Sequence, residues 1–177
     1  MKKVESSDWV TPIVPVLKPD ETVRICGDFK LTINPYLDVP KYPMPNPEEL
    51  FTKLNGGELL TKLDLSHAYQ QVVLDEKSQH YVIINTHLGL YRNTRLPFGV
   101  AAAPAMFQQI IDKMLDGLTQ TGGILDDLIV TGQNDEQYIK NLHHTLTKFD
   151  ECGAKFKISK CAIKQPQVEY FVFVLDR

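Results

Sequence analysis

The sequence predicts an α+β fold: an antiparallel sheet with helices on one face, preceded by a proline-rich β lobe. Apolar runs of strand length alternate with two long stretches whose apolar residues recur every three or four positions, in the order strand, helix, strand pair, helix, strand. Proline is concentrated early, at positions 12, 15, 19, 35, 40, 43, 45 and 47 of a chain holding 11. That density forbids long helix but allows short strands between bends, so residues 1–47 read as an extended, poorly self-supporting lobe. With 177 residues, 43% apolar and 23% charged, the chain can bury a core and form one compact unit with two lobes.

Within the first lobe, Ile13–Leu17 and Val23–Phe29 flank Lys18-Pro19-Asp20-Glu21, a hairpin in which Pro19 presets the turn. Asn46-Pro47 reads as an N-cap with proline in the first helical position. Leu50, Phe51 and Leu54 give that helix one apolar side, and Gly56-Gly57 stops it. Leu59–Leu65 reads as a buried strand. Tyr81–Asn85 and Leu90–Leu96 are strands joined through His87-Leu88-Gly89. Pro104 opens a helix carrying Phe107, Ile110, Ile111, Met114, Leu115 and Leu118. Ile124–Val130 is a strand pair broken at Asp126-Asp127. Asp135 caps a second long helix with Ile139, Leu142, Leu146, Phe149 and Cys152 on one stripe, closed by Gly153. Val168–Leu175 is a final strand.

Composition excludes several function classes. Nineteen basic against 22 acidic residues give a net charge of −3, which rules out a globally cationic coat for nucleic acid and leaves only a local strip. Cys26, Cys152 and Cys161 are odd in number and lack metal-ligand spacing, against a disulfide framework or structural zinc and for a reducing compartment. The longest run free of charge and strong polarity, Leu96–Phe107, is shorter than the ~18 residues of a membrane span. The start, MKKVESSDW, is polar where a signal peptide is apolar, so the expected location is intracellular, cytoplasmic or nuclear.

The chemistry-bearing residues are Asp64, in Lys62-Leu63-Asp64-Leu65, and Asp126-Asp127, in Ile124-Leu125-Asp126-Asp127-Leu128-Ile129-Val130. Roughly 0.6 Asp-Asp pairs occur by chance in a chain of this length, so the apolar flanks discriminate and not the pair itself. Carboxylates inside an apolar strand suffer desolvation and mutual repulsion unless a cation compensates. Between Leu96 and Ile139 the charged residues are Asp112, Lys113, Asp116, Asp126, Asp127, Asp135 and Glu136, so no nearby base is expected to neutralise the pair. A bound divalent metal, Mg²⁺ with Mn²⁺ as a substitute, fits hard carboxylate oxygens and suits two-metal phosphoryl transfer. A solvated hairpin tip is the competing reading. Lys148, Lys155, Lys157, Lys160 and Lys164 against Asp150 and Glu151 form a basic stretch. It suits either a phosphate backbone or a solvated surface after a helix.

Four motifs occur in the order seen in reverse transcriptases, the RNA-directed DNA polymerases of gypsy-class LTR retrotransposons and retroviruses. They are Arg24-Ile25-Cys26-Gly27-Asp28-Phe29-Lys30 with Leu31-Thr32-Ile33-Asn34; Lys62 to Gln71; Leu96-Pro97-Phe98-Gly99 followed by Ala102 to Gln108; and Leu125-Asp126-Asp127-Leu128-Ile129-Val130. The chain resembles a fingers-plus-palm fragment of that family across nearly its whole length. The resemblance implies a polymerase palm-type antiparallel sheet with a β fingers lobe. Approximately 1–57 and 77–97 would be fingers, and 58–76 and 98–177 palm, with no counterpart of the thumb, ribonuclease H or integrase regions. It further implies that Asp64, Asp126 and Asp127 are the catalytic, metal-holding carboxylates. Arg24, Leu65, Tyr69, Phe98 and Gly99 would meet the incoming dNTP, Tyr69 rejecting a ribose 2′-hydroxyl. Lys155, Lys157 and Lys160 are the candidate contacts to nucleic acid. The implied partners are an RNA or DNA template with its primer, and dNTPs, with no membrane and with derivation from a longer polyprotein.

The sequence also departs from the family pattern. Ile124 stands where tyrosine is usual, Lys30 replaces an arginine, Asp20-Glu21 lacks the turn glycine, and Val172 occupies a customary glycine position near the end. These departures leave open a second reading: a catalytically silent retroelement remnant acting as a nucleic-acid-binding or protein-interaction module.

Overall fold

The computed structural model describes residues 1–18, 21–170 and 173–176. The expected turn at Pro19-Asp20 and the departure at Val172 therefore lie outside the described residues. The chain forms two compact units: residues 1–41 with 69–107, and residues 42–68 with 108–177.

The first unit holds a five-stranded sheet built from β1 (Lys2–Val4), β2 (Thr11–Leu17), β3 (Val23–Gly27), β5 (Ile83–Thr86) and β6 (Gly89–Arg92), in the order β1-β6-β5-β2-β3; β4 (Leu59–Asp64) belongs to the second unit. The expected hairpin is present as β2 and β3, with Ile13 opposite Gly27 and Leu17 opposite Val23. β2 also pairs with β5, in parallel, at Thr11 and Ile84. The early lobe is thus not a separate piece of chain, because its strands share a sheet with residues 83–92. Phe29, Ile33, Val82, Ile84, Leu96, Val100, Ala102 and Ala103 form the core of this unit, with Trp9 and Tyr91 packed on it. Phe29 is fully buried, which contributes ~1.5–3 kcal/mol.

The second unit is a four-stranded antiparallel sheet ordered β7-β8-β4-β9, from β4 (Leu59–Asp64), β7 (Thr121–Ile124), β8 (Asp127–Gly132) and β9 (Ala162–Gln165). Alternate residues of each strand face opposite sides. On one side lie the long helices α3 (Ala103–Leu115), through its Gln108–Leu115 portion, and α4 (Asp135–Glu151). Thr121 meets Thr145 of α4, and the Leu115 side chain lies close behind Gly123. On the other side lies the short α1 (Pro47–Leu54), whose Leu50 and Leu54 pack with Leu60, Ile124, Ile129, Val168 and Tyr170. Gly122 makes that packing possible, since a Cβ there would come within 2.0 Å of a Leu50 methyl. A short α2 (Glu76–Gln79) lies in the first unit. As the two long helical repeats implied, these helices share one face.

Three local expectations need correction. The N-cap of α4 is Asn134, which accepts from the Gln137 N–H, so Asp135 is the first helical residue, placed well for the helix dipole. The hidden side of α4 runs through Tyr138, Asn141, Thr145 and Phe149, while Ile139 is 59% exposed and Leu146 38% exposed. Hydrogen bonding explains the swap. The Tyr138 hydroxyl lies 2.6 Å from Thr61 Oγ1, and the Asn141 amide donates to the Thr131 carbonyl at 2.8 Å. Burial of these polar groups is thereby compensated. Finally, the expected last strand is two antiparallel strands, β10 (Val168–Tyr170) and β11 (Phe173–Leu175), with Tyr170 opposite Phe173.

Candidate active site

The second unit gathers the carboxylates. Asp64 ends β4 and Asp127 begins β8, where they are partners in the antiparallel ladder and so point to one side of the sheet. Asp126 lies in the turn between β7 and β8, and its carbonyl accepts the Leu65 N–H at 2.8 Å. The turn is strained: Leu125 has φ 54, a left-handed conformation costly for a branched residue. Two buried side chains hold it. Gln108, with no exposure, accepts the Leu125 N–H at 2.7 Å and donates to the Gly123 carbonyl at 3.1 Å. The Tyr170 hydroxyl accepts from the Ile124 N–H at 3.0 Å and donates to the Asp127 carbonyl at 2.9 Å. Sequence reasoning gave neither residue this role: Gln108 closes the third motif, but no motif or spacing shows that it and Tyr170 meet the turn backbone.

The expectation that no base would neutralise the acids is overturned. Lys62 Nζ lies 3.4 Å from Asp127 Oδ1, and Lys160 Nζ lies 3.4 Å from Asp64 Oδ2. Lys62 precedes Asp64 by one sheet repeat and shares its face, while Lys160 arrives from a distant segment, which a count of nearby charges does not detect. Burial raises the Asp127 carboxyl pKa, the Lys62 ammonium opposes that rise, and the charges of Asp126 and Asp64 add to it. Burial likewise pushes the Tyr170 phenol upward, keeping it a protonated donor.

The donor set fits a hard cation. Carboxylate oxygens of Asp64 and Asp127 already hold positively charged groups, and the mutual repulsion of three acids favours one. Among the described residues no group of three His, Cys, Asp or Glu side chains is placed to hold a metal ion by itself. Mg²⁺ is held by one or two carboxylates together with substrate phosphates, and the facing pair Asp64 and Asp127 is the set that fits it.

The remaining candidate residues are placed as follows. Leu65 is buried, 3% exposed, and acts through its N–H on Asp126. The lysine stretch runs beside the carboxylate strand: the Lys157 N–H donates to the Asp64 carbonyl and the Lys155 carbonyl accepts from the Ser66 N–H, both at 2.8 Å. Lys155, Lys157 and Lys160 are exposed.

In the first unit, Arg24 is exposed with its guanidinium carbon 4.6 Å from the centre of the Phe98 ring, a cation–π contact. Tyr69 packs against Phe98 and Phe107 at ring-centre distances of 5.4 and 5.3 Å. Gly99 has φ 98, and a Cβ there would lie 2.5 Å from the Gly27 carbonyl oxygen, so only glycine fits. Asn34 fixes this loop, donating to the Gly99 carbonyl and accepting from the Ala101 N–H, both at 2.9 Å. The structure thus brings Arg24, Tyr69, Phe98 and Gly99 together in one unit and Asp64, Leu65, Asp126, Asp127 and the lysines in the other. No helix among the described residues is long and apolar enough to cross a membrane.

Residues 18–175 match the family model described as reverse transcriptase (RNA-dependent DNA polymerase). The chain is 40% identical over 169 residues to the uncharacterized protein K02A2.6 of Caenorhabditis elegans, covering 94% of this chain and 13% of the relative. It is 27% identical over 161 residues to the transposon Tf2-3 polyprotein of Schizosaccharomyces pombe, covering 90% of this chain and 12% of that protein. It therefore spans a small part of the curated relatives it matches. Among solved structures, the foamy viral protease-reverse transcriptase dRH in complex with ds DNA superposes with a TM-score of 0.91 at 22% identity, over 97% of this chain and 30% of that one. The foamy viral protease-reverse transcriptase in complex with RNA/DNA hybrid gives 0.88 at 22% identity, over 97% and 23%. The chain belongs to the reverse transcriptase (RNA-dependent DNA polymerase) family.

Proposed function

We propose that this chain is the polymerase region of a gypsy-class retroelement polyprotein and extends a primer on an RNA or DNA template with dNTPs. The observation that carries the proposal is the facing pair Asp64 and Asp127 with Asp126 in the adjoining strained turn. We assign the name fingers to the first unit and palm to the second. The contact-defined bounds differ from those expected by family resemblance at residues 42–57, 69–76 and 98–107. Relatives named as a transposon polyprotein, and structural neighbours solved with DNA and RNA/DNA hybrid, support the partners.

In this reading Asp64 and Asp126 would hold two Mg²⁺ ions, with Asp127 supporting them. When bound, the ions would supply charge stabilisation as the primer 3′-hydroxyl displaces pyrophosphate in line from the α-phosphate. The protein contributes positioning. The Leu65 N–H fixes the Asp126 backbone, Lys62 and Lys160 moderate the negative charge around the acids, and Arg24 offers a fixed donor fork to the triphosphate. Tyr69, braced by two phenylalanines, excludes a 2′-hydroxyl. Lys155 and Lys157 meet the nucleic-acid backbone.

The test is primer extension by the chain with Mg²⁺ or Mn²⁺: wild type extends and Asp126→Asn does not. Extension that survives Asp126→Asn refutes the assigned site. The silent-remnant reading is favoured by Ile124, which buries an aliphatic side chain where the family usually has tyrosine. It predicts no extension by wild type under any metal condition.

A further inference from the structure

The geometry points to Tyr170 as a positioning residue that holds the carboxylate turn in its working shape, an inference that rests on the polymerase reading above. The turn needs such a device. Leu125 occupies a left-handed conformation with φ 54, which relaxes unless its surroundings fix it. Ile124 and Asp127 are the last ladder pair before the turn, and the Tyr170 hydroxyl oxygen binds both of them, as acceptor to the Ile124 N–H and donor to the Asp127 carbonyl. One oxygen from a third strand thus fastens the two strands immediately below Asp126.

The clamp is itself rigid. The Tyr170 ring is fully buried in the cluster with Leu50, Leu54, Leu60, Ile124 and Ile129, so packing fixes the direction of its hydroxyl. Lys62 joins it to the acids, with its ammonium 5.8 Å from the ring centre and 3.4 Å from Asp127 Oδ1. A displacement of the ring would therefore disturb both the backbone of Asp127 and the cation beside its carboxylate. Tyr170 never reaches the reacting atoms in this account. It acts through Asp126 and Asp127, and a small shift of groups that must meet metal and phosphate is enough to slow a reaction strongly.

Tyr170→Phe removes the bridging oxygen and keeps the ring. Amide hydrogen exchange followed residue by residue should show Ile124 exchanging about tenfold faster in the variant, with Leu60 and Val168 unchanged. In primer extension, kcat should fall by about tenfold or more with KM for dNTP unchanged. Mn²⁺ titration should move to higher concentration, and a Tyr170→Leu variant should lose melting temperature as well. Unchanged exchange at Ile124 overturns the inference whatever the activity. A fall in kcat that merely parallels a general loss of protection also overturns it, since that is what a packing role alone would give. If wild type neither extends a primer nor binds Mn²⁺ while Ile124 still responds to Tyr170→Phe, the polymerase reading fails and the clamp stands.

Discussion

Asp64 and Asp127 face each other as direct partners across β4 and β8, with their side chains on the same side of the sheet. Two acids so placed repel each other, and here Lys160 and Lys62 divide the task of offsetting that repulsion, one beside each carboxylate. A divalent cation would offset the same repulsion more strongly, since it carries twice the charge of an ammonium group.

Divalent metal should therefore stabilise the native chain. A ligand that binds only the folded state adds RT ln(1 + [L]/Kd), ~2.7 kcal/mol at a hundredfold excess over Kd. Thermal melts with Mg²⁺ or Mn²⁺ should show a raised midpoint for wild type and little change for Asp126→Asn. An unmoved wild-type midpoint would remove the metal site.

Asp127 makes stability depend on pH in a stated direction. Burial lifts its folded-state pKa above the ordinary 3.8, so its contribution is fully present below pH 3.8 and is lost as pH rises through the folded value. Without metal, the midpoint of wild type should fall relative to Asp127→Asn as pH is raised from below 3.8 to neutral. Parallel pH profiles for the two proteins would show that Asp127 titrates as it does in an unfolded chain.

Tyr69 should govern sugar selection. Replacing it with alanine removes a ring held by Phe98 and Phe107, and should admit ribonucleotides while extension with dNTPs continues. Competition between dNTPs and rNTPs in primer extension reads the ratio directly. An unaltered ratio would assign Tyr69 a packing role.

Gly99→Ala should destabilise the chain by on the order of 2 kcal/mol. The added methyl meets the Gly27 carbonyl at 2.5 Å in a backbone region that side chains avoid. Chemical denaturation measures the loss, and a change below ~0.5 kcal/mol would mean the loop relaxes freely.

Asn141→Leu tests the polar packing of α4. Leucine would suit an apolar helix stripe, yet the substitution leaves the buried Thr131 carbonyl without its donor, a cost of ~1–3 kcal/mol. A stabilised variant would show that the hydrogen bond is dispensable.

Local chemistry made the elements legible in the sequence. Asn46-Pro47 and Gly56 bound a helix because capping and a permissive backbone act over a few residues, and the β2–β3 hairpin follows from alternating strand-formers around a turn. The Asp64 and Asp126-Asp127 motifs stood out because acids in apolar runs are unusual, whatever the fold. Only the tertiary structure decided what compensates them. Lys160 reaches Asp64 across 96 positions, and Tyr170 reaches Ile124 across 46, distances over which sequence spacing carries no geometric information. The side of α4 that is buried was likewise set by partners on other strands: Thr61, Thr121 and Thr131 offer hydrogen bonds that make Tyr138, Asn141 and Thr145 good interior residues. Hydrophobic periodicity ranks side chains by their own solvation, whereas burial depends on what each one meets, and that is known only once the strands are paired.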